Sequence, residues 1–423
     1  MTKPVLYPFH DAAATLMRFS KIPLHQGKAS VRLEESADLR ADVLVPAEGD
    51  CLIFLHGARK KLPRRGVGSG LTISGDSADG PFELTCPLFH IKASSPLREK
   101  LEWAILSPAN QPMTIDYKAQ RPAAKVSAII NNFDFEGVGL SVDASGRTVQ
   151  FARCNQYERL RELANTDILR TPALTSFSFD VWAGASEQEL MTFAQDVASL
   201  CAYAVGQHTG VTVLSLFDQD GQVIRRIIGN PVESRFKRGG ILNNSRVPDG
   251  ITKLFSQCFE EHVKMRRSSL PWIKLPSYCA TIEDLPYLEE RFAVLMIAIE
   301  FFIKNSLIES RNAMASRQIE KMDFNALIAA ARSILGWRVP KHYTKKDLPR
   351  LLRNAIMHGG ELPTKDSAEF RHVFDKWLLF LYRRVLMRLG YDGIVVSPQG
   401  GWVSTSPVSD FSEAHNSFSY SSG

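Results

Sequence analysis

A chain of 423 residues is too long for one small core, and its 44% hydrophobic content is that of a folded protein, which sets aside a disulfide-stapled miniprotein and a wholly disordered chain. With 51 Lys+Arg against 45 Asp+Glu, the net charge of +6 permits nucleic-acid binding without requiring it. The six cysteines form no C-x-x-C pair and no His/Cys cluster, so no zinc site, disulfide framework or cofactor is expected.

The start, "MTKPVLYPFHDAAATLM", lacks the apolar run of a signal peptide. The longest apolar run, Phe292 to Ile303, is broken by Glu300 and falls short of the roughly 20 residues that span a bilayer. A cytoplasmic protein without a membrane segment is expected. Residues 1–177 read as a β-rich region: "DVLV", "CLIFLH", "GLTIS", "PFELTCPLFHI", "EWAIL", "MTIDY", "KVSAIINNF" and "RTVQFA" are β-branched or aromatic runs between turn signals, the pattern of a sandwich or a curved sheet. Residues 178–249 form a small mixed segment. A strand "FSFDVWA" and a helix "SEQELMTFAQDVASLCAYAVG" precede "VTVLSLFDQDGQVIRRI", whose "FDQDGQ" reads as a hairpin turn. Whether this segment extends the first sheet or stands as a subdomain is left open.

Residues 250–395 read as helical. "GITKLFSQCFEEHVKMRR" leads in and a Pro-rich bridge "SSLPWIKLPSY" follows. Four further segments with helical periodicity, Tyr287–Arg311, Lys321–Trp337, Leu348–His358 and Ser367–Leu389, suit an antiparallel bundle. Residues 396–423 are Ser/Gly-rich without Lys or Arg and read as a disordered tail. The fold class expected is therefore α+β and multidomain.

The third bundle segment carries "LLRNAIMHGG". Asp347 can cap it, Pro349 is tolerated in its first turn, and Gly359 suits the left-handed position after its end. At about 100° per residue Leu348, Leu351, Leu352, Ala355 and Ile356 share an apolar stripe, with Arg350, Arg353, Asn354 and His358 on the other side. Arg353 and His358 stand roughly 140° apart, so Arg353 must reach with its long side chain or act across a subunit interface. His358, in the last turn, can exchange protons near neutral pH. A guanidinium beside it can hold a phosphate by paired hydrogen bonds and stabilise a pentavalent transition state. In RNA the 2′-hydroxyl is an internal nucleophile, so these groups can cleave the chain to a 2′,3′-cyclic phosphate without metal. The spacing alone does not decide this, since an arginine and a histidine on a helix end are more often plain surface groups.

"RNAIMH", Arg353 to His358, resembles the R-(polar)-x3-H signature of the HEPN superfamily (higher eukaryotes and prokaryotes nucleotide-binding), and it falls in the third helix of a C-terminal bundle, as it does in that family. The closing "LYRRVLMRLGYDG" is similar to the end of HEPN domains joined to a β-rich region in ApeA-type anti-phage proteins. The likeness covers about Glu283 to Gly393. It implies a HEPN-like four-helix nuclease domain and a metal-independent endoribonuclease, active as a homodimer with a composite site, in anti-phage defence by abortive infection. Arg353 and His358 would be catalytic and Asn354 would orient them. RNA is the implied substrate, tRNA among the candidates, and the N-terminal region becomes a sensor for a phage-derived activator. Lys345, Lys346 and Arg350, just ahead of the motif, are candidate RNA contacts.

Glu300 interrupts an apolar helix and is expected to have a partner; Arg353, a purely structural pair and a solvent-reaching position are the alternatives. "RKKLPRRGVGSG", Arg59 to Gly70, lacks P-loop order and is expected to be a solvated hairpin tip rather than an RNA or phage contact. Asp134 and Glu136 share a strand face, where an edge charge pair is far commoner than a glycosidase pair. His56 and His90 lie on apolar strands and are expected to be satisfied core histidines. The alternative function is a non-catalytic binding protein, with the bundle as dimerisation module and the β-rich region recognising carbohydrate or protein.

Overall fold

The computed structural model describes residues 21–32, 36–46, 52–56, 66–77, 79–94, 104–108, 112–117, 121–134, 137, 139–154, 157–165, 173–229, 242, 249–310, 316–340, 367–396 and 402–404. The fold is α+β, an antiparallel β region followed by a helical one. The chain divides into two compact units. The first takes Met1–Ser141, Arg147–Ala198 and Thr209–Arg238, and the second takes Val142–Gly146, Ser199–His208 and Gly239–Gly423.

Among the described residues the β region is one sheet of 13 strands. Its first part curls until it closes: β1 (Lys21–Arg32), β2 (Ser36–Pro46), β3 (Leu52–His56), β6 (Ala104–Pro108), β5 (Gly80–Ser94) and β4 (Gly66–Ser77) pair in that order, and β4 returns to β1. A ring this narrow has room only for side chains. Val31, Val43, Ile53, Leu55, Leu71, Ile73, Leu84 and Phe89 belong to the core cluster there. The strand β5 joins this barrel to the open part of the sheet, because Phe82 to Thr85 pair with β4 on one side and with β7 (Met113–Tyr117) on the other. Gly68 and Phe89 face each other across β4 and β5, and the Phe89 ring lies where a Cβ on Gly68 would be. Close approach of a neighbour is a common reason for glycine inside a strand. The glycines after the basic loop thus enter β4, while residues 57–65 lie outside the described residues.

Beyond β7 the order is β13 (Val223–Ile228), β12 (Gly210–Phe217), β8 (Lys125–Asn131), β11 (Thr175–Asp180), β10 (Arg147–Arg153) and β9 (Gly139–Ala144). The strands of the mixed segment therefore extend the first sheet. The "FDQDGQ" turn closes the β12–β13 hairpin: Asp218 Oδ1 accepts the amides of Asp220 and Gln222 at 3.0 and 2.8 Å, and Gly221 takes the left-handed conformation. A short helix inside the stretch read as all strand, α1 (Tyr157–Asn165), buries Tyr157, Leu160 and Ala164 at helical spacing. The helix α2 (Glu187–Val205) begins with a capping box in which Ser186 and Glu189 bond reciprocally.

In the second unit α3 (Gly250–Arg267) is the lead-in helix. The Pro-rich bridge is itself largely helical, a correction to its reading as a connector. A 3-10 turn, Trp272–Lys274, runs into α4 (Leu275–Asp284), where Pro276 sits in the first turn and loses no internal bond. The helices α5 (Leu288–Glu309), α6 (Ser316–Glu320), α7 (Phe324–Ser333) and α8 (Ser367–Arg388) follow. Central α5 packs against α4, α7 and α8 and buries Phe292, Leu295, Met296, Ile299, Phe302 and Ile303. The end of α2 belongs to this unit. Tyr203 meets His262 of α3 edge to face at 5.6 Å, and Gly206, in the left-handed conformation, lies under the Tyr382 hydroxyl. Three residues of the Ser/Gly-rich tail, "WVS", form β15 (Trp402–Ser404) against β14 (Ile394–Val396), as their aromatic and β-branched side chains allow. Among the described residues no helix is long and apolar enough to cross a membrane.

Candidate functional site

The motif residues Arg353, Asn354 and His358, with Lys345, Lys346 and Arg350, lie outside the described residues, between Pro340, seven residues after the end of α7, and Ser367 at the start of α8. Glu300 is described. It stands on α5, a helix so apolar that its carboxylate sits 19% exposed, and its Oε1 accepts from Lys304 Nζ at 2.8 Å one turn on. Lys304 also reaches the Glu320 carbonyl at the end of α6, at 3.4 Å. The pair thus ties α5 to the α6 segment, and its i,i+4 spacing was available in the sequence.

Around α5 the charged groups are mostly matched. Arg291 lies on Phe374 of α8, the guanidinium carbon 4.9 Å from the ring centre, and donates to Glu283 at 2.7 Å. Arg388, near the end of α8, bridges Glu261 of α3 and Glu309 of α5. Arg388 and Glu261 also line a shallow groove of about 380 Å³, with Glu260 and Lys264. Asp375 accepts from Arg371 at 3.1 Å, yet burial holds its carboxyl above the ordinary range against the pull of that arginine. His208, just beyond α2, is 3.5 Å from the Thr281 hydroxyl; burial pushes its pKa down and Asp284 pulls it back.

Arg384 differs from these. Its guanidinium carbon lies 5.2 Å from the Trp337 ring centre and 5.6 Å from that of Phe380, while Trp337 stacks on Phe302 at 5.4 Å with an interplanar angle of 24°. Its hydrogen bond among the described residues runs from Nη2 to the Arg338 carbonyl at 3.4 Å. Among the described residues no carboxylate pairs with it, and burial and the adjacent Arg383 lower its pKa to about 10. Sequence reasoning missed this residue. The available signal was "YRRV", two successive arginines in a helix that otherwise buries most of its length.

In the first unit Asp134 lies past the end of β8. It accepts from the Tyr157 hydroxyl at 2.5 Å and pairs with Arg161 Nε at 3.0 Å, so it anchors α1 to the sheet and is not part of an edge-strand pair. Glu136 and the His56 side chain lie outside the described residues. His90 is exposed, contrary to its reading as a core histidine, because its neighbour Phe89 takes the inward position on β5. Among the described residues no group of three or more His, Cys, Asp or Glu can hold a metal ion. Cys86, Cys154, Cys258 and Cys279 are pushed up to about 12 by burial, which leaves them inert near neutral pH. No family model, curated protein or solved structure matches the chain.

Proposed function

We propose that the chain is a metal-independent endoribonuclease of the HEPN type, acting as a homodimer in anti-phage defence. The observation that carries this reading is the Arg353-Asn354-x3-His358 motif, which in chain order falls between α7 and α8 of a helical unit. In the proposed reaction one His358 takes the proton of the 2′-hydroxyl as its oxygen attacks the adjacent phosphorus. Arg353 holds the non-bridging oxygens as charge builds on them, and Asn354 orients the pair. The P–O5′ bond breaks, and the leaving oxygen takes a proton from the His358 of the other subunit. The products are a 2′,3′-cyclic phosphate and a free 5′-hydroxyl.

Two copies are invoked because one helix offers a single imidazole, whereas a two-fold axis supplies a base, an acid and two clamps from one self-complementary face. The β region is the sensor in this reading. Its barrel interior is filled by the core cluster, so recognition of an activator falls to its loops and outer faces. Mixing His358→Ala with Arg353→Ala subunits tests the composite site: heterodimers should regain part of the cleavage that each parent lacks. Full-rate cleavage by a chain that sediments as a monomer would rule the arrangement out.

A further inference from the structure

We infer that Arg384, braced by Trp337 and Phe380, is a phosphate-binding contact for single-stranded RNA. The proposal rests on the ribonuclease reading for the identity of its ligand, and on the structure for the site.

A half-buried guanidinium must recover the hydration that it gives up. Arg291 and Arg388 of the same unit do so through carboxylates, at 2.7 Å to Glu283 and at 2.5 and 2.8 Å to Glu261 and Glu309. Among the described residues Arg384 has two rings and a carbonyl 3.4 Å away, none of which is an anion. Aromatic faces hold the guanidinium plane in place and leave its charge uncancelled. An incoming anion supplies the counter-charge that Arg384 does not receive from any described carboxylate. A guanidinium presents five N–H donors in a fixed fork that matches two phosphate oxygens, and here the fork is already ordered, so little side-chain entropy is lost on binding.

Three features favour RNA among anionic ligands. The platform is aromatic as well as cationic, the combination that single-stranded nucleic acids use. Trp337 and Arg338 lead, within ten residues of chain, to Lys345 and Lys346, and then to Arg350 and the motif. A substrate held at His358 must also continue in both directions along its backbone, and contacts away from the cleaved bond are where binding energy is gathered.

The test uses the full chain carrying His358→Ala, so that binding is read without cleavage. Anisotropy of a fluorescein-labelled single-stranded RNA is followed across a salt series. Arg384→Ala should weaken binding about tenfold and reduce the magnitude of the slope of log K against log salt by roughly 0.7, the loss of one phosphate contact on a single strand. Arg384→Lys should keep the slope and lose part of the affinity, because charge survives and the stacked fork does not. Unchanged affinity and slope in Arg384→Ala would overturn the proposal, as would a parent that binds no RNA. Should either variant melt early, labelling of Arg384 by phenylglyoxal in the unaltered parent decides. RNA should protect the residue, and equal labelling with and without RNA counts against the site. If RNA binds through Arg384 and the wild-type chain nevertheless leaves it uncut, this contact stands and the ribonuclease reading falls.

Discussion

Gly68→Ala should destabilise the barrel even though two general effects push the other way. Gly68 has no positive φ, so alanine fits its backbone, and removing a glycine from the unfolded chain by itself stabilises by about 0.4–1 kcal/mol. Packing reverses the sign. The added Cβ would stand 2.2, 2.5 and 3.0 Å from Cζ, Cε2 and Cε1 of Phe89, where carbon atoms rest at roughly 3.5–4.0 Å. The ring must move by more than an ångström, and at 1% exposure it can move only into packed core. Overpacking of this kind costs about 1–3 kcal/mol, which leaves a net loss once the entropy gain is subtracted for all but the mildest case. Phe89→Ala alone should cost about 3–5 kcal/mol through the cavity it leaves. In the double variant the new methyl no longer clashes, so the two costs should fall short of additivity by about 1–3 kcal/mol. Urea unfolding of all four proteins, followed by far-ultraviolet circular dichroism, gives the cycle. A Gly68→Ala protein more stable than the parent, or strict additivity, would refute the contact.

Asp323 caps α7 by accepting the Ala326 amide at 2.8 Å, so Asp323→Ala should lower thermal stability by about 1 kcal/mol, while Asp323→Ser should recover most of it. Burial holds the His208 pKa below its ordinary value of 6.5, so the unfolded chain takes up that proton first. Its contribution is therefore present above pH 6.5 and is lost as pH falls through the depressed value, and melting curves of His208→Gln should show a weaker acid dependence than wild type between pH 7.5 and 5. A chain beginning at residue 250 lacks Tyr203, Gly206 and His208, which belong to the helical unit, and should precipitate or melt well below one that retains residues 199–208. Equal solubility and melting of the two fragments would contradict that assignment. Glu300→Ala leaves Lys304 three-quarters buried without this carboxylate, and should cost about 1–3 kcal/mol by calorimetry.

The sequence made the separate elements more legible than their joining. "GITKLFSQCFEEHVKMRR" coincides with α3 because its apolar spacing is regular and its flanks are polar, and "FDQDGQ" declares its turn through residues whose side chains build it. The closure of the barrel could not be read. It depends on β1, "KIPLHQGKASVR", which carries few apolar residues, and on β5 pairing with three different neighbours. The helix α1 was hidden by its brevity and its charges, and α4 by prolines that signal a connector unless they fall in a first turn. Of the site residues, the six around the motif lie outside the described residues, and their pattern is carried by the sequence, where Arg353, Asn354 and His358 fall within six positions. The Arg384 platform was invisible because its parts, residues 302, 337, 380 and 384, meet only when three segments fold together.

The central claim is tested most directly by incubating purified wild-type and His358→Ala proteins with a labelled RNA in the presence of a chelator and identifying the new ends. The account predicts that the wild-type chain cuts the RNA, leaves 2′,3′-cyclic phosphate and 5′-hydroxyl termini, and is unaffected by the chelator, while His358→Ala, folded and dimeric, leaves the RNA whole. Cleavage by His358→Ala at the wild-type rate, or cleavage that disappears on chelation, would contradict it.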